Sequence, residues 1–158
     1  FVYQIVVIPM GGFSAIAGAV ALGLLALPVV ARTTEDIIKL VPTSYREGSV
    51  ALGARESTTI ARVVVPAAFG GILTGILLAV ARISGETAPL IFTTLGSFNW
   101  TDSLTKPIGS LPMAIYRYAS SPYEEWKDLA WAGALVLTSG VLALNIVSRV
   151  SHRLISKA

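Results

Sequence analysis

Charge is distributed along this chain by segment rather than by helical or strand period. Residues 1–31 contain no Asp, Glu, Lys or Arg, and neither do residues 63–81 or 129–148. A helix needs roughly 20 apolar residues to cross a hydrocarbon core of about 30 Å. Within lipid, a run of this kind must satisfy its own backbone groups, which selects helix. The pattern therefore predicts an all-α integral membrane fold with three transmembrane helices, at about 13–30, 66–95 and 122–149. Pro9 and Gly11-Gly12 make residues 1–12 a lead-in to the first helix. Pro89 removes the hydrogen bond to the Gly85 carbonyl and predicts a kink near 85–89 in the second.

The polar segment 31–65 carries its own punctuation. Thr33 is placed to cap a short helix that Pro42 ends, and Ser44 with Glu47 three residues on forms a capping-box pattern. Gly53 suits a left-handed helix stop. These signals predict a compact helix over 45–52 with Tyr45 and Leu52 projecting, then a further short helix capped by Ser57 and running to Pro66. Small residues recur every four positions at Ala67, Gly71, Gly75 and Ala79, a spacing that lets membrane helices approach closely. Ala15, Ala19 and Gly23 repeat the spacing in the first span, where the ordinary use of Ala and Gly in membrane helices accounts for them equally well.

Basic residues then orient the chain. Segment 31–65 holds Arg32, Lys39, Arg46, Arg55 and Arg62, and the tail holds Arg149, Arg153 and Lys157. Segment 96–121 and its border hold only Lys106, Arg117 and Lys127. By the positive-inside rule the loop 31–65 and the C-terminus are cytoplasmic and the loop 96–121 is external. The net charge of +3 is thus a signature of membrane orientation, not of nucleic-acid binding. The aromatic residues Phe98, Trp100, Tyr116, Tyr118, Tyr123 and Trp126 fit an interfacial belt. Residues 112–119 suggest a short surface helix. Asn99-Trp100-Thr101 matches a glycosylation acceptor, a short and weak motif. Ser121-Pro122-Tyr123-Glu124 combines a capping box with Pro at a first helical position.

Several kinds of chemistry are excluded. With no cysteine there is no disulfide framework, thiolate metal site or Cys nucleophile, and the lone His152 lies in the basic tail. No Ser/His or metal-ligand constellation is present, so the sequence predicts neither an enzyme nor a cofactor or metal site. Gly48 and Gly53 have the spacing of a phosphate-binding loop, but Ala54-Arg55 stands where Lys-Ser/Thr is required and no strand precedes it.

The end of the second span is the exception to its apolar character. Arg82 and Glu86 stand one turn apart, and Arg82 lies about 24 Å along a helix from Pro66. An intramembrane cation is costly and calls for a partner or for water. Two roles remain open: a structural Arg82–Glu86 salt bridge, or an anion path lined by Arg82 and gated by Glu86 beside Thr87.

The segments Ser44-Tyr45-Arg46-Glu47-Gly48 through Leu52-Gly53-Ala54, then 63–68, 71–79 and Ala81-Arg82 through Gly85-Glu86-Thr87-Ala88-Pro89-Leu90, resemble the permease subunits of phosphate ABC importers of the PstA type. Residues 12–19 and 121–134 are similar to the same family. The Glu47-to-Pro66 layout is that family's cytoplasmic EAA loop, with Gly48-Ser49 where two alanines are usual and Val63 and Val65 where Ile and Leu are usual. The resemblance runs along 1–158 and corresponds to the C-terminal half of a six-span permease, so a longer parent chain is expected.

What the resemblance implies is a multi-pass inner-membrane subunit importing inorganic phosphate. Its partners would be cytoplasmic ATP-binding subunits, a second homologous permease and an extracytoplasmic phosphate-binding protein, with lipid around it. Glu47, Gly48, Ser49, Ala51, Leu52 and Gly53 would contact the ATPase. ATP hydrolysis would belong to that separate subunit. Two alternatives stand beside it: a permease for molybdate or sulfate, and a membrane scaffold that transports nothing.

Overall fold

The computed structural model describes residues 1–97, 101 and 103–155, with side chains as far as residue 150. Phe98, Asn99, Trp100 and Lys157, and the side chains of His152 and Arg153, lie outside the described residues. Among the described residues there is no strand. A π-turn at Tyr3–Val7 leads to α1 (Ala15–Lys39), α2 (Thr43–Ala51) and α3 (Glu56–Thr59). A second π-turn (Ile60–Val64) joins α3 to α4 (Val65–Ile83). Then come α5 (Ala88–Ile91), α6 (Leu111–Ala119) and α7 (Glu124–Ile155). Among the described residues, three helical runs are long and apolar enough to cross a membrane: Ala15–Lys39, Glu56–Ile83 and Glu124–Val150.

The boundaries depart from the sequence pattern where local chemistry outweighs it. Thr33 caps nothing. Its hydroxyl donates to the carbonyls of Val29 (2.9 Å) and Val30 (3.1 Å) from inside a continuous α1. That bonding mode is compatible with an unbroken helix, and i,i+3 and i,i+4 pairs of Arg32 with Glu35 and Asp36 support the same turn. Helix α4 ends at Ile83 instead of continuing to Leu95. The α7 capping box is not made either: the helix begins at Glu124, and Ser121 Oγ accepts from the Tyr123 N–H at 3.2 Å in a local turn.

The chain divides into two compact units, one of Phe1–Leu27 with Val80–Ala143, the other of Pro28–Ala79 with the chain from Leu144 on. In the first unit, the start of α1 is fully supplied with acceptors. The N–H groups of Ser14, Ala15 and Ile16 donate to the carbonyls of Thr93, Lys106 and Leu104 at 3.0, 3.0 and 3.1 Å. The Ala17 N–H donates to Ser14 Oγ at 3.1 Å. A helix start has four such orphan donors, and here a crossing loop and one serine satisfy all four. Gly18 makes this possible, since a Cβ there would collide with Thr94 and press on Leu90. Ala17, Thr93 and Thr94 are buried around it.

After α5 the chain reverses through Leu95 and Gly96, both at φ 54. Arg117 of α6 donates to the Leu95 carbonyl, and Met113 packs on Gly96, where a Cβ would lie 2.7 Å from its Cγ. Helix α6 also rests on α7, with Ile115 and Leu111 over Gly133. Tyr118 meets Trp126 edge-on at 5.5 Å, and Tyr123 lies 5.9 Å from the same ring.

In the second unit, Val41, Val64 and Ala68 form a core with Ile37, Ile38 and Ile72 packed against it. Ser148 of α7, fully buried, donates to the Thr74 carbonyl at 3.3 Å.

Candidate functional site

Helix α2 is the most exposed helix of the second unit and stands on that core. It starts after Pro42, whose extended backbone (φ −54, ψ 139) serves as the N-cap, and no side chain caps it. Ser44 falls inside the first turn, so the expected Ser44–Glu47 capping box is not formed. The backbone of Pro42 takes that role, accepting from the Tyr45 N–H at 3.2 Å. Arg46 reaches back to donate to the Ile38 carbonyl at 3.3 Å, in the last turn of α1, where free carbonyls attract cations.

The end of α2 follows the glycine signal closely. Gly53 has φ +82. Its N–H donates to the Val50 carbonyl at 2.8 Å, and the Ala54 N–H donates to the Ser49 carbonyl at 3.2 Å. This pair of bonds is a Schellman closure, with the glycine in the left-handed position. The closure leaves Leu52 at the tip, 90 % exposed, with Tyr45 and Val50 each 55 % exposed on the same short helix.

Of the six residues singled out in this loop, Glu47, Gly48, Ala51, Leu52 and Gly53 are exposed, and Ser49 is half-buried. Ser49 Oγ lies 2.9 Å from Thr59 Oγ1, and Thr59 is buried. Thr59 is the last residue of α3, immediately ahead of the π-turn. Pro66 follows that turn by two residues. A proline ring in a helix collides with the carbonyl four residues back and removes one hydrogen bond; a widened turn just ahead of it accommodates the ring without breaking the run. The helix from Glu56 to Ile83 is therefore continuous, where the sequence suggested a separate helix capped by Ser57.

The four-residue stripe on α4 divides. A Cβ on Gly71 would lie 2.7 Å from Ile37 Cγ2, and one on Gly75 would lie 2.9 Å from Thr33 Oγ1. Both glycines therefore admit α1 side chains closely. Ala79 is buried and Ala67 is exposed. Ala67, Gly71 and Gly75 border an apolar groove of about 540 Å³ that Thr33, Ile37 and Tyr45 also line. On α1 the stripe Ala15, Ala19, Gly23 is not the packed one. Ala17, Gly18 and Ala21 are buried, one helical face over.

At the end of α4, in the first unit, Arg82 is exposed and Glu86 and Thr87 are half-buried. No ion pair joins Arg82 to Glu86 among the described residues. The reason is the helix break: Gly85 N–H donates to the Arg82 carbonyl at 3.4 Å and Glu86 N–H to that of Ile83 at 3.1 Å, tightening the chain into a turn. Helix α5 then restarts with Pro89 in its first turn, a position where the missing N–H costs nothing. The predicted kink is thus a stop and restart, and the one-turn spacing that would pair the two charges is lost.

One feature of the site had no signal in the sequence. Thr59 is ten residues from Ser49 and reads as an ordinary helix residue. Only the fold shows that it is a contact position.

The family model described as "Binding-protein-dependent transport system inner membrane component" matches residues 2–158. Among curated proteins, the chain is 54% identical over 150 residues to the "Phosphate transport system permease protein PstA" of Yersinia pestis, covering 95% of this chain and 51% of that protein. It is 50% identical to the protein of the same name in Haemophilus influenzae, with 95% and 53% covered. It is 37% identical over 145 residues to "Phosphate transport system permease protein PstA 2" of Mycobacterium tuberculosis, with 88% and 47% covered. The chain spans about half the length of these relatives. No solved structure matches it. With three membrane-length helices among the described residues and a family match along nearly its whole length, the chain belongs to the binding-protein-dependent transport system inner membrane components.

Proposed function

We propose that this chain is the C-terminal part of a permease subunit that imports inorganic phosphate, driven by ATP hydrolysis on separate cytoplasmic subunits. The observation that carries it is the identity to permeases named for phosphate transport, 54% over 150 residues in one of them. The remaining partners are a second homologous permease subunit and an extracytoplasmic phosphate-binding protein. The loop 31–65 and the C-terminus face the cytoplasm, in line with five basic residues in that loop.

Coupling runs through α2. Glu47, Gly48, Ser49, Ala51, Leu52 and Gly53 form its contact with the ATPase, supported by the exposure of five of them and by the apolar tip at Leu52. Motion of α2 reaches the second span through the continuous helix beyond Glu56, packed on α1 at Gly71 and Gly75. Arg82, with Glu86 and Thr87 near it, lines the anion path. The exposure of Arg82, with no ion pair to Glu86, favours this role over a structural salt bridge.

The test is uptake of labelled phosphate into vesicles holding the full-length protein with its ATPase and permease partners. ATP-dependent uptake that excess sulfate and molybdate leave unchanged is the expected result. Uptake of one of those anions in place of phosphate would overturn the substrate. Assembly with no flux of any of them would overturn transport itself.

A further inference from the structure

We propose that a groove between α6 and α7 binds one zwitterionic phospholipid, phosphatidylethanolamine, with its phosphate on Lys127, its ammonium on Glu124 and an acyl chain along Ala130 and Ala134. The groove holds about 320 Å³ and is lined by Ile115 and Ala119 of α6 and by Lys127, Ala130, Trp131 and Ala134 of α7. It opens because the facing side chains are small. Helix α6 is drawn onto α7 at Gly133, where a Cβ would lie 2.9 Å from Ile115 Cγ1, and the neighbouring alanines leave the gap unfilled. A single helical turn, about 10 Å across and 5.4 Å long, fills roughly 400 Å³. The groove is therefore too small to seat a protein helix along its length, and an acyl chain is the occupant of the right width.

The charges at its mouth select the headgroup. Glu124 begins α7, a helix long and apolar enough to cross a membrane, so this end of it lies at a membrane surface. Glu124, Lys127, Trp131 and Ala134 follow at three- and four-residue intervals and share one face. From the surface inward that face presents a carboxylate, an ammonium, an indole and the apolar groove. A phosphatidylethanolamine presents the complementary order: ammonium, phosphate, ester and acyl chain. Lys127 Nζ donates to Glu124 Oε1 at 2.6 Å, and an ammonium has three donors, so phosphate oxygens can be held without breaking the pair. Trp131 is 77 % exposed and lies about 6 Å deeper along the axis; its N–H suits an ester carbonyl, the usual place of Trp at a membrane interface. An anionic headgroup fits poorly, because Glu125 and Asp128 join Glu124 and set three carboxylates against one lysine within Glu124–Asp128. A primary ammonium instead gives these carboxylates charge-assisted hydrogen bonds.

The experiment places the full-length protein, with its ATPase and permease partners, in nanodiscs. These contain phosphatidylethanolamine carrying a photoactivatable diazirine in one acyl chain. Adducts are mapped by mass spectrometry and expressed as a share of all adducts on the protein. Adducts concentrated on 111–119 and 124–134 are expected, and their absence from these segments overturns the proposal. Ala134→Leu, which fills the groove, lowers their share at least fivefold; an unchanged share places the lipid elsewhere and overturns it too.

The double variant Glu124→Lys with Lys127→Glu keeps an ion pair and reverses the order of charges. It lowers the share at least threefold, and full labelling in it would reduce the site to a greasy groove with no headgroup recognition. Unlabelled phosphatidylethanolamine displaces the probe at least threefold better than phosphatidylglycerol or phosphatidylcholine. Equal displacement by either overturns the headgroup assignment.

Discussion

Replacing Gly53 separates backbone from surface effects at the end of α2. Its φ is +82 and no heavy atom lies within 4 Å of where a Cβ would be built. A side chain there meets open space, so the cost within this chain is conformational. Placing an L residue in the left-handed region costs about 1–2 kcal/mol. Asn enters that region more readily than most residues, and a β-branched residue enters it least readily. The Schellman bonds from Gly53 and Ala54 should therefore open in the order Asn, Ala, Val. For Gly53→Ala, 1–2 kcal/mol corresponds to a roughly five- to thirtyfold loss of hydrogen-exchange protection at the Ala54 amide. Gly53→Asn should lose less and Gly53→Val more. Coupling of hydrolysis to uptake should fall in the same order, and Gly53→Asp, bulky and charged on an exposed surface, should uncouple the two. Equal loss of Ala54 protection in Gly53→Asn and Gly53→Val would refute the argument. If protection followed the order and coupling followed side-chain volume instead, contact with a partner rather than closure of α2 would control transport.

Three further predictions test other parts of the molecule. Arg82→Gln should lower phosphate uptake at least tenfold with the amount of assembled protein in the membrane unchanged; loss of the protein from the membrane would make Arg82 structural. Gly71→Ala should destabilise the detergent-purified protein by about 1–3 kcal/mol through overpacking against Ile37, and the same substitution made in an Ile37→Ala background should cost much less; an equal drop in thermal midpoint in both backgrounds would mean that the two residues do not share the contact. Ser14→Ala should cost about 1 kcal/mol as the loss of an N-cap acceptor; an unchanged thermal midpoint would show that the hydroxyl is not needed.

The three membrane helices were legible because segment length against charge is a strong signal, and no tertiary contact is needed to produce it. Gly53 was legible for a related reason: a left-handed helix stop is a property of one residue's backbone. The starts of helices were harder. Ser44, Ser57, Ser121 and Thr33 all have capping chemistry, yet none caps a helix with its side chain, because Pro42, Arg55 and local turns set the entries and Thr33 found carbonyls inside its own helix. The end of α4 failed for a different reason. Pro89 can kink a helix or begin one, and here the chain turns at Ser84–Gly85 first, so that Pro89 falls in the first turn of α5. With that turn the Arg82–Glu86 spacing lost its meaning, since i,i+4 proximity holds only on an unbroken helix.

Where the chain invests its specific polar bonds follows from the solvent it occupies. Lipid is as apolar as leucine, so apolar side chains gain nothing from covering one another there, and packing and hydrogen bonds must hold the helices. Leu135 and Val136 of α7 are 70 % and 62 % exposed, an arrangement that would be costly in water and is free in a bilayer. The polar bonds accumulate instead at the ends and crossings of helices: four acceptors at the start of α1, Arg46 on the carbonyl of Ile38, the Gly53 closure, and Ser148 on the carbonyl of Thr74. A change at one of these points removes an interaction that hydrophobic burial cannot replace. By the same reasoning, exchanges among Leu, Ile and Val on the exposed face of α7 leave the chain's own bonds intact, and the residues that decide its structure are the serines, threonines and glycines rather than the apolar majority.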